Sequence, residues 1–260
     1  MQLHVIERTE GETPTEERPA IVFLHGLFGR ARNLGFLQRA TASNFRTIAP
    51  DLRNHGDSPH GPASYSAMAE DVLETLSAHH INRFALVGHS MGGKVAMHLA
   101  LKHPDRVSRL LVADMAPAPT RHGQSAMIER LKTLTFPPTL DRKEALALLD
   151  PITGSRAVSE LMGQNLRLGD QPGWAIGFDE LADAITHIEG WEAPQTLPYE
   201  GPTLFLRGEL SPYVQESHHP TIHALFPQAQ IETLPNAGHW LHVDQPKGFL
   251  AQMTPFLSAQ

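Results

Sequence analysis

The stretch that begins at Phe84 constrains the fold of this chain more than any other part of it. Four consecutive apolar residues, Phe84–Val87, predict a strand that is covered on both faces. Gly88-His-Ser-Met-Gly92 follows, and the apolar residues after it recur at helical spacing until Pro104. Serine in a G-x-S-x-G turn between a strand and a helix is typical of a nucleophile, because the strained turn tolerates no Cβ beside it. We therefore predict that Ser90 is a catalytic nucleophile, with the start of a helix behind it to favour a developing oxyanion.

The same stretch nearly matches a phosphate-binding loop, and this alternative is excluded by one residue. Gly88, Gly93 and Lys94 fit the pattern G-x-x-x-x-G-K. The next residue is Val95, where the pattern needs a serine or threonine hydroxyl to hold magnesium. We expect no nucleotide and no other cofactor.

Composition excludes several further classes of function. The formal net charge of −7 provides no basic surface for nucleic acid. The chain has no cysteine, which rules out disulfides and zinc–thiolate sites, and its 16 histidines are scattered without metal-binding spacing. No apolar run approaches the ~20 residues that span a bilayer, and the N-terminus has no apolar signal core. We expect a cytoplasmic protein without a metal site or membrane span, and its oligomeric state is not indicated.

The order of predicted elements indicates an α/β fold. Short apolar strands alternate with amphipathic helices, one of which begins near an expected N-cap at Ser66. This alternation predicts a mostly parallel central sheet covered by helices, with the functional site at the carboxyl ends of its strands. Between Pro117 and Pro198 the pattern changes to four helices and no strand. We interpret residues 117–198 as a helical cap inserted into a core of residues 1–116 and 199–260.

Several motifs together resemble the α/β-hydrolase superfamily over nearly the whole chain. They are His25-Gly26, Asp51–Ser58, Gly88–Gly92, Leu111–Asp114 and Asn236–His239. Two segments, Ala113–Pro117 and Arg207–Val214, also resemble the YbfF group of small bacterial esterases and its mitochondrial relatives. The resemblance implies an α/β-hydrolase fold with a helical cap. It also implies a serine esterase or thioesterase that acts through an acyl-enzyme, on small esters or on thioesters such as acyl-CoA.

Within this resemblance the catalytic roles fall on particular residues. Ser90 needs a base with a pKa near neutrality, and His239 is the candidate because it follows the last predicted strand on an Ala-Gly turn. The oxyanion of the intermediate is expected between the backbone N–H groups of Leu27 and Met91. Neither side chain needs to be polar, because only the main chain acts.

The acid of the triad is where the sequence departs from the superfamily. Ser211 stands where most members have an aspartate, and a neutral hydroxyl cannot stabilise the imidazolium of His239. Two carboxylates remain: Asp114 at the end of a predicted strand, and Glu209 in the expected loop but two positions early. The resemblance to the YbfF group favours Asp114, and Glu209 stays open as the alternative acid.

Other functions fit the same motifs. A cofactor-free C–C bond hydrolase or haloperoxidase shares the serine triad, so sequence separates it poorly from an esterase. Ser90 argues against enzymes of this fold that need a carboxylate nucleophile. A non-catalytic ligand-binding protein of the same fold is the alternative from another class, and the complete set of serine, histidine and carboxylate argues against it.

Overall fold

A seven-stranded sheet organises the computed structural model, which describes residues 1–11, 18–120 and 124–259. Its strands, in chain order, are Val5–Arg8 (β1), Ala20–Leu24 (β2), Arg46–Pro50 (β3), Phe84–His89 (β4), Val107–Ala113 (β5), Thr203–Gly208 (β10) and Ala229–Leu234 (β11). The spatial order is β1-β3-β2-β4-β5-β10-β11, with every pair parallel except the antiparallel edge pair β1 and β3. Strand β4 therefore lies at the centre of the sheet, and the residue that follows it lies at the middle of the carboxyl edge.

Helices cover both faces of the sheet. In chain order, the α-helices of the described residues are Gly35–Thr41 (α1), Tyr65–Ala78 (α2), Met91–Lys102 (α3), Gln124–Lys132 (α4), Arg142–Thr153 (α5), Arg156–Gly163 (α6), Phe178–Glu189 (α7), His219–Leu225 (α8), Leu241–Asp244 (α9) and Pro246–Ser258 (α10). Side chains of α2, α3 and α8 share one apolar core with one face, and those of α1 and α10 share a second core with the other. None of the helices in the described ranges is long and apolar enough to cross a bilayer.

Strand β2 shows why the predicted strands are continuous apolar runs. Val22 and Leu24 point into the first core, and Ile21 and Phe23 point into the second. All five residues of the strand are buried, as a strand covered on both faces requires. The predicted fold class is confirmed.

One prediction about the start of a helix was wrong. The N-cap of α2 is Ser64, whose Oγ accepts the backbone N–H of Ala67 at 3.1 Å, and not Ser66. Both serines precede Met68, the first buried aliphatic residue of the helix, at distances that a cap allows. Which serine caps the helix depends on the path of the loop before it, and the hydrophobic periodicity of the helix does not indicate that path.

The chain between β5 and β10 contains α4 to α7 and adds no described residue to the large sheet. The expectation that this stretch has no strand was wrong. Four two-residue strands, Thr139–Leu140 (β6), Leu166–Arg167 (β7), Gly169–Asp170 (β8) and Gly173–Trp174 (β9), form the antiparallel pairs β6–β8 and β7–β9. Runs of two residues are too short for a period-2 pattern, so sequence cannot indicate them. Positions 121–123 of the predicted cap lie outside the described residues, and its boundaries remain a prediction.

Helix α3 holds the far end of this segment. Lys94 is fully buried, and its Nζ donates to the carbonyl of Gly190 at 2.7 Å, just beyond the C-terminus of α7. One turn further, His98 Nε2 donates to the carbonyl of Glu192 at 2.8 Å. Burial lowers the pKa of Lys94 to about 8. Lys94, the lysine of the pattern that resembles a phosphate-binding loop, therefore binds main-chain carbonyls. There its positive charge complements the negative end of the α7 dipole.

The contact between α3 and β2 gives a test of this packing. A Cβ on Gly92 would overlap the backbone carbonyls of Leu24 and His25, which cannot move without distorting the central sheet. We expect Gly92→Ala to lower the free energy of unfolding by more than about 3 kcal/mol in urea denaturation.

Gly163→Ala, in α6, is the matched control. The nearest atom to its added Cβ is Leu146 Cδ2 at 3.5 Å, an ordinary contact. We expect a change within about 1 kcal/mol there, since alanine favours helix. Equal stabilities of the two variants would contradict the close approach of α3 to β2.

Candidate active site

Ser90 lies on the sharp turn between β4 and α3, with φ 55° and ψ −122°. This backbone conformation is strained for any residue other than glycine and persists only where the surroundings hold it. Its N–H donates to the carbonyl of Ala113 at 3.1 Å, and a Cβ on Gly88 would overlap the carbonyl of Gly92. The two glycines let strand and helix approach closely enough to hold the Ser90 hydroxyl above the carboxyl edge of the sheet.

A chain of hydrogen bonds starts at this hydroxyl. Ser90 Oγ lies 2.9 Å from His239 Nε2, and His239 Nδ1 lies 2.8 Å from Asp114 Oδ2. Because the carboxylate can only accept, Nδ1 carries the proton and Nε2 accepts from the serine hydroxyl. The ring of Tyr213 stacks on the imidazole with centroids 3.9 Å apart, which restricts its rotation. The arrangement is that of a serine activated by a neighbouring base that a carboxylate orients.

Asp114 follows β5 and is completely buried. Besides the imidazole, its Oδ1 accepts the backbone N–H of Gly208 at 3.0 Å, and its Oδ2 accepts the hydroxyl of Ser211. A buried carboxylate is tolerated where such donors replace its hydration. Sequence reasoning treated Ser211 only as a missing acid, and the structure gives it a contact with the carboxylate that is present.

The alternative acid, Glu209, does not reach the imidazole. It is exposed, and its Oε2 accepts the backbone N–H of Asn236 at 2.8 Å. This bond holds the turn that leads from β11 to His239. Of the two candidate carboxylates, the structure brings only Asp114 to the histidine.

Leu27 and Met91 lie on two segments that meet at Ser90. A Cβ built on Gly26 would lie 3.1 Å from Ser90 Cβ, so the residue before Leu27 touches the serine. Met91 is the first residue of α3. Within the described ranges, neither the Leu27 N–H nor the Met91 N–H has a hydrogen-bond acceptor. Two backbone donors without an acceptor therefore lie on the segments next to Ser90.

Two buried histidines support the loop that carries Leu27. His55 Nε2 accepts the N–H of Phe28 at 3.1 Å, and its Nδ1 donates to the carbonyl of Arg53 at 2.9 Å. His25 Nε2 accepts the N–H of Leu52 at 3.0 Å. Burial lowers the pKa of His55 to about 3, so its Nε2 stays an acceptor at neutral pH. The sequence showed these histidines beside glycine-rich turns but not which backbone groups they bind.

One group of possible metal ligands stands out among the described residues. His4, Asp51 and Asp57 offer ligand atoms that all lie within 4.8 Å of one another. The Asp51 carboxylate already accepts the N–H of Ala31 at 2.6 Å and that of Asp57 at 3.0 Å, and it lies 2.9 Å from His4 Nδ1. These bonds make the carboxylate an anchor for the surrounding loops.

Comparisons with known proteins agree with this fold. A family model described as alpha/beta hydrolase fold matches residues 19–246. The chain is 44% identical over 250 residues to the Mus musculus protein named sn-1-specific diacylglycerol lipase ABHD11, across 92% of this chain and 81% of that protein. It is 34% identical over 242 residues to esterase YbfF of Escherichia coli K12, with 92% of each chain covered. A solved structure described as a marine microorganism esterase superposes with a TM-score of 0.91 at 32% identity, across 98% of this chain and 99% of that one.

The histidines around the site predict a loss of stability in acid. Burial and the nearby His239 lower the pKa of His242 to about 4, from 6.5 in an unfolded chain. Between these values the unfolded state binds the proton and the folded state does not, so stability falls as pH falls through this window. We expect His242→Gln to weaken the pH dependence of the free energy of unfolding between pH 6.5 and 4 by about 1 kcal/mol per pH unit. Urea denaturation at several pH values measures it.

The exposed His223 provides the control. His223→Gln should leave the pH dependence as it is in the wild type. Parallel pH profiles for the wild type and His242→Gln would show that His242 is not held neutral by burial.

Proposed function

The chain belongs to the α/β-hydrolase family, and we propose that it hydrolyses carboxylic esters or thioesters through an acyl-enzyme formed on Ser90. The observation that carries this proposal is the continuous chain of hydrogen bonds from Asp114 through His239 to Ser90. Relatives named esterase or lipase support ester hydrolysis in general. The acyl-enzyme, the roles of single residues and the thioester activity are parts of the proposal.

Acylation starts when Ser90 Oγ attacks the acyl carbon. The hydroxyl proton passes to His239 Nε2, which lies 2.9 Å away, and the carbonyl π electrons move to the acyl oxygen. The imidazolium is stabilised by Asp114, whose buried charge needs no reorganisation at that moment. When the intermediate collapses, the bond from the acyl carbon to the alcohol oxygen or thiol sulfur breaks. The imidazolium then gives its proton to the leaving group.

Deacylation repeats these steps with water. His239 takes a proton from a water molecule as the water oxygen attacks the acyl carbon, and the Ser90 oxygen leaves with that proton. The products are a carboxylic acid and the free serine. In both halves of this mechanism the negative oxygen of the intermediate is stabilised by the N–H groups of Leu27 and Met91. What supports these two donors as the oxyanion hole is that, among the described residues, neither N–H has another acceptor.

The relatives and one cavity support an organic ester as substrate. The mouse relative is named as a diacylglycerol lipase and the Escherichia coli relative as an esterase. A cavity of about 440 Å³ lies beside Tyr213, the residue whose ring stacks on His239, and is lined by Pro119, Pro212 and Gln215 among others. Its lining mixes apolar side chains with polar ones, and such a surface can hold the acyl or alcohol group that extends from the reacting carbonyl.

In this proposal residues 117–198 form a cap that limits access to Ser90. Support comes from the bonds by which Lys94 and His98 of α3 hold the end of this segment. Because the same helix begins at the residue after Ser90, these bonds fix the position of the segment relative to the nucleophile. A cap of this kind sets which acyl chains reach the serine.

The first functional test is Ser90→Ala. We expect a folded protein whose ester hydrolysis is lower by about 10⁶, as for the loss of a triad nucleophile elsewhere. The assay is a series of p-nitrophenyl esters of graded acyl length beside acyl-CoA thioesters, with a fluorophosphonate adduct on the wild type located by mass spectrometry. Activity that survives in the variant, or an adduct on another residue, would overturn the assignment. Adduct formation at Ser90 without turnover of any ester or thioester would favour the C–C bond hydrolase.

A second test separates the two carboxylates. Asp114→Asn keeps the shape of the side chain and removes the charge that stabilises the imidazolium, and we expect turnover to fall roughly 10⁴-fold. Glu209→Gln is the matched control: its amide oxygen can still accept from Asn236, so turnover should stay near that of the wild type. Steady-state kinetics on one p-nitrophenyl ester measures both. The reverse pattern would make Glu209 the acid.

A further inference from the structure

The loop that carries Leu27 is a tight turn with an unusual residue in it. The N–H of Gly29 donates to the carbonyl of Gly26 at 2.9 Å, which closes the turn over Leu27 and Phe28. Phe28 has φ 62°, a left-handed conformation that glycine adopts without strain at this position of a type II turn. A phenylalanine here stays in this conformation only if its surroundings hold it. The direction of the Leu27 N–H depends on that turn.

Two side chains hold Phe28, and they come from different parts of the molecule. Its N–H donates to His55 Nε2 at 3.1 Å, within the core. Its carbonyl accepts from Asn165 Nδ2 at 2.7 Å. Asn165 follows α6, inside the segment between β5 and β10. The peptide groups on both sides of Phe28 are therefore fixed, one of them by the proposed cap.

Asn165 is itself held firmly in place. Its backbone N–H donates to the carbonyl of Met162 at 2.9 Å, and its carbonyl accepts the N–H of Ala175 at 2.7 Å. Its Nδ2 also donates to the carbonyl of Leu161 at 3.2 Å. Only 1% of the residue is exposed. A side chain anchored in this way can hold the carbonyl of Phe28 in one direction.

If Asn165 served stability alone, it would be an unfavourable residue at this position. Its Oδ1 is buried and has no hydrogen-bond partner. A buried polar atom without a partner destabilises a fold, so an apolar side chain of the same size would remove that cost. The donor on Nδ2 is what an apolar side chain would not replace.

We propose that Asn165 is a positioning residue of the oxyanion hole, through which the segment between β5 and β10 helps to build the catalytic site. It acts through Phe28 by holding the turn in which the Leu27 N–H faces the reacting carbonyl oxygen. The inference rests on the proposed function, because it needs Leu27 to stabilise the oxyanion formed when Ser90 attacks. It makes the segment part of the catalytic geometry as well as a cover.

The neighbouring residue offers a matched control. Gln164 Oε1 accepts from Asn33 Nδ2 at 2.9 Å, which is also a bond between this segment and the core. This bond is exposed, and Asn33 lies in a short 3-10 turn, Ala31–Leu34, rather than in the turn of Leu27. Gln164→Leu therefore removes a contact between the same two parts of the chain without touching the turn that holds Leu27.

The test compares Asn165→Leu with Gln164→Leu. Displacing a reacting or stabilising group by about 1 Å costs up to ~10² in rate, and removing an oxyanion donor costs 10²–10³. We expect kcat of Asn165→Leu on a short p-nitrophenyl ester to fall by about 10- to 100-fold with little change in KM. Gln164→Leu should keep both constants. The concentration of active sites is measured by exhaustive fluorophosphonate titration, and kcat is calculated from that concentration. Unfolded protein therefore does not lower the measured kcat.

A transition-state analogue gives the readout that a purely structural role would not move. When Ser90 adds to a trifluoromethyl ketone, its proton passes to His239 and the ketone oxygen becomes an oxyanion in the hole. The inhibition constant should therefore rise in Asn165→Leu by about the same factor by which kcat/KM falls. If Asn165→Leu fails to fold, Asn165→Ala carries the same expectation for both constants.

The outcomes separate this inference from the proposed function. The inference is wrong if kcat changes less than about threefold, if the loss lies in KM alone, if the inhibition constant does not rise, or if Gln164→Leu loses as much. Should Ser90→Ala remain active, the proposed function itself fails, whatever Asn165 does. An inactive Ser90→Ala together with a fully active Asn165→Leu would remove the inference and keep the proposed function.

Discussion

The buried carboxylate of Asp114 is the charge on which the rest of the site depends. An ion without solvent is tolerated only where donors surround it, and here these donors come from two later parts of the chain. The loop after β10 supplies the N–H of Gly208 and the hydroxyl of Ser211, and the loop after β11 supplies the imidazole of His239. The ends of β5, β10 and β11 are therefore tied to one carboxylate. The histidine it orients is the group that contacts Ser90.

Helix α3 connects the nucleophile to the segment beyond β5. It begins at the residue after Ser90, and its middle carries Lys94 and His98, which bind carbonyls at the far end of that segment. A second contact joins the middle of the segment to the core, where Asn165 Nδ2 donates to the carbonyl of Phe28. The segment thus contacts both the helix behind the serine and the turn beside it.

The sheet explains why these contacts meet in one place. Because β2, β4, β5, β10 and β11 run parallel, the loops that follow them all leave the same edge. Leu27 follows β2, Ser90 follows β4, Asp114 follows β5 and His239 follows β11. A parallel sheet of this kind collects residues that are far apart in sequence at its carboxyl edge.

The sequence by itself determined the elements and the nature of the central turn. Continuous apolar runs identified the core strands, since a strand covered on both faces has no polar side, and the predicted strand Phe84–Val87 lies within β4, all of whose residues are buried. The glycines around Ser90 indicated the turn after β4, because that turn leaves no room for a Cβ.

Only the tertiary structure decided which distant groups touch. Asp114 and Glu209 both follow strands, and spacing along the chain did not show that Asp114 alone reaches His239. The contact of Ser211 with that carboxylate, and the bond from Asn165 to Phe28, were likewise invisible in sequence. The physical reason is the separation along the chain. Local spacing governs helices, strands and turns, whereas contacts between residues far apart in sequence depend on how the finished elements pack.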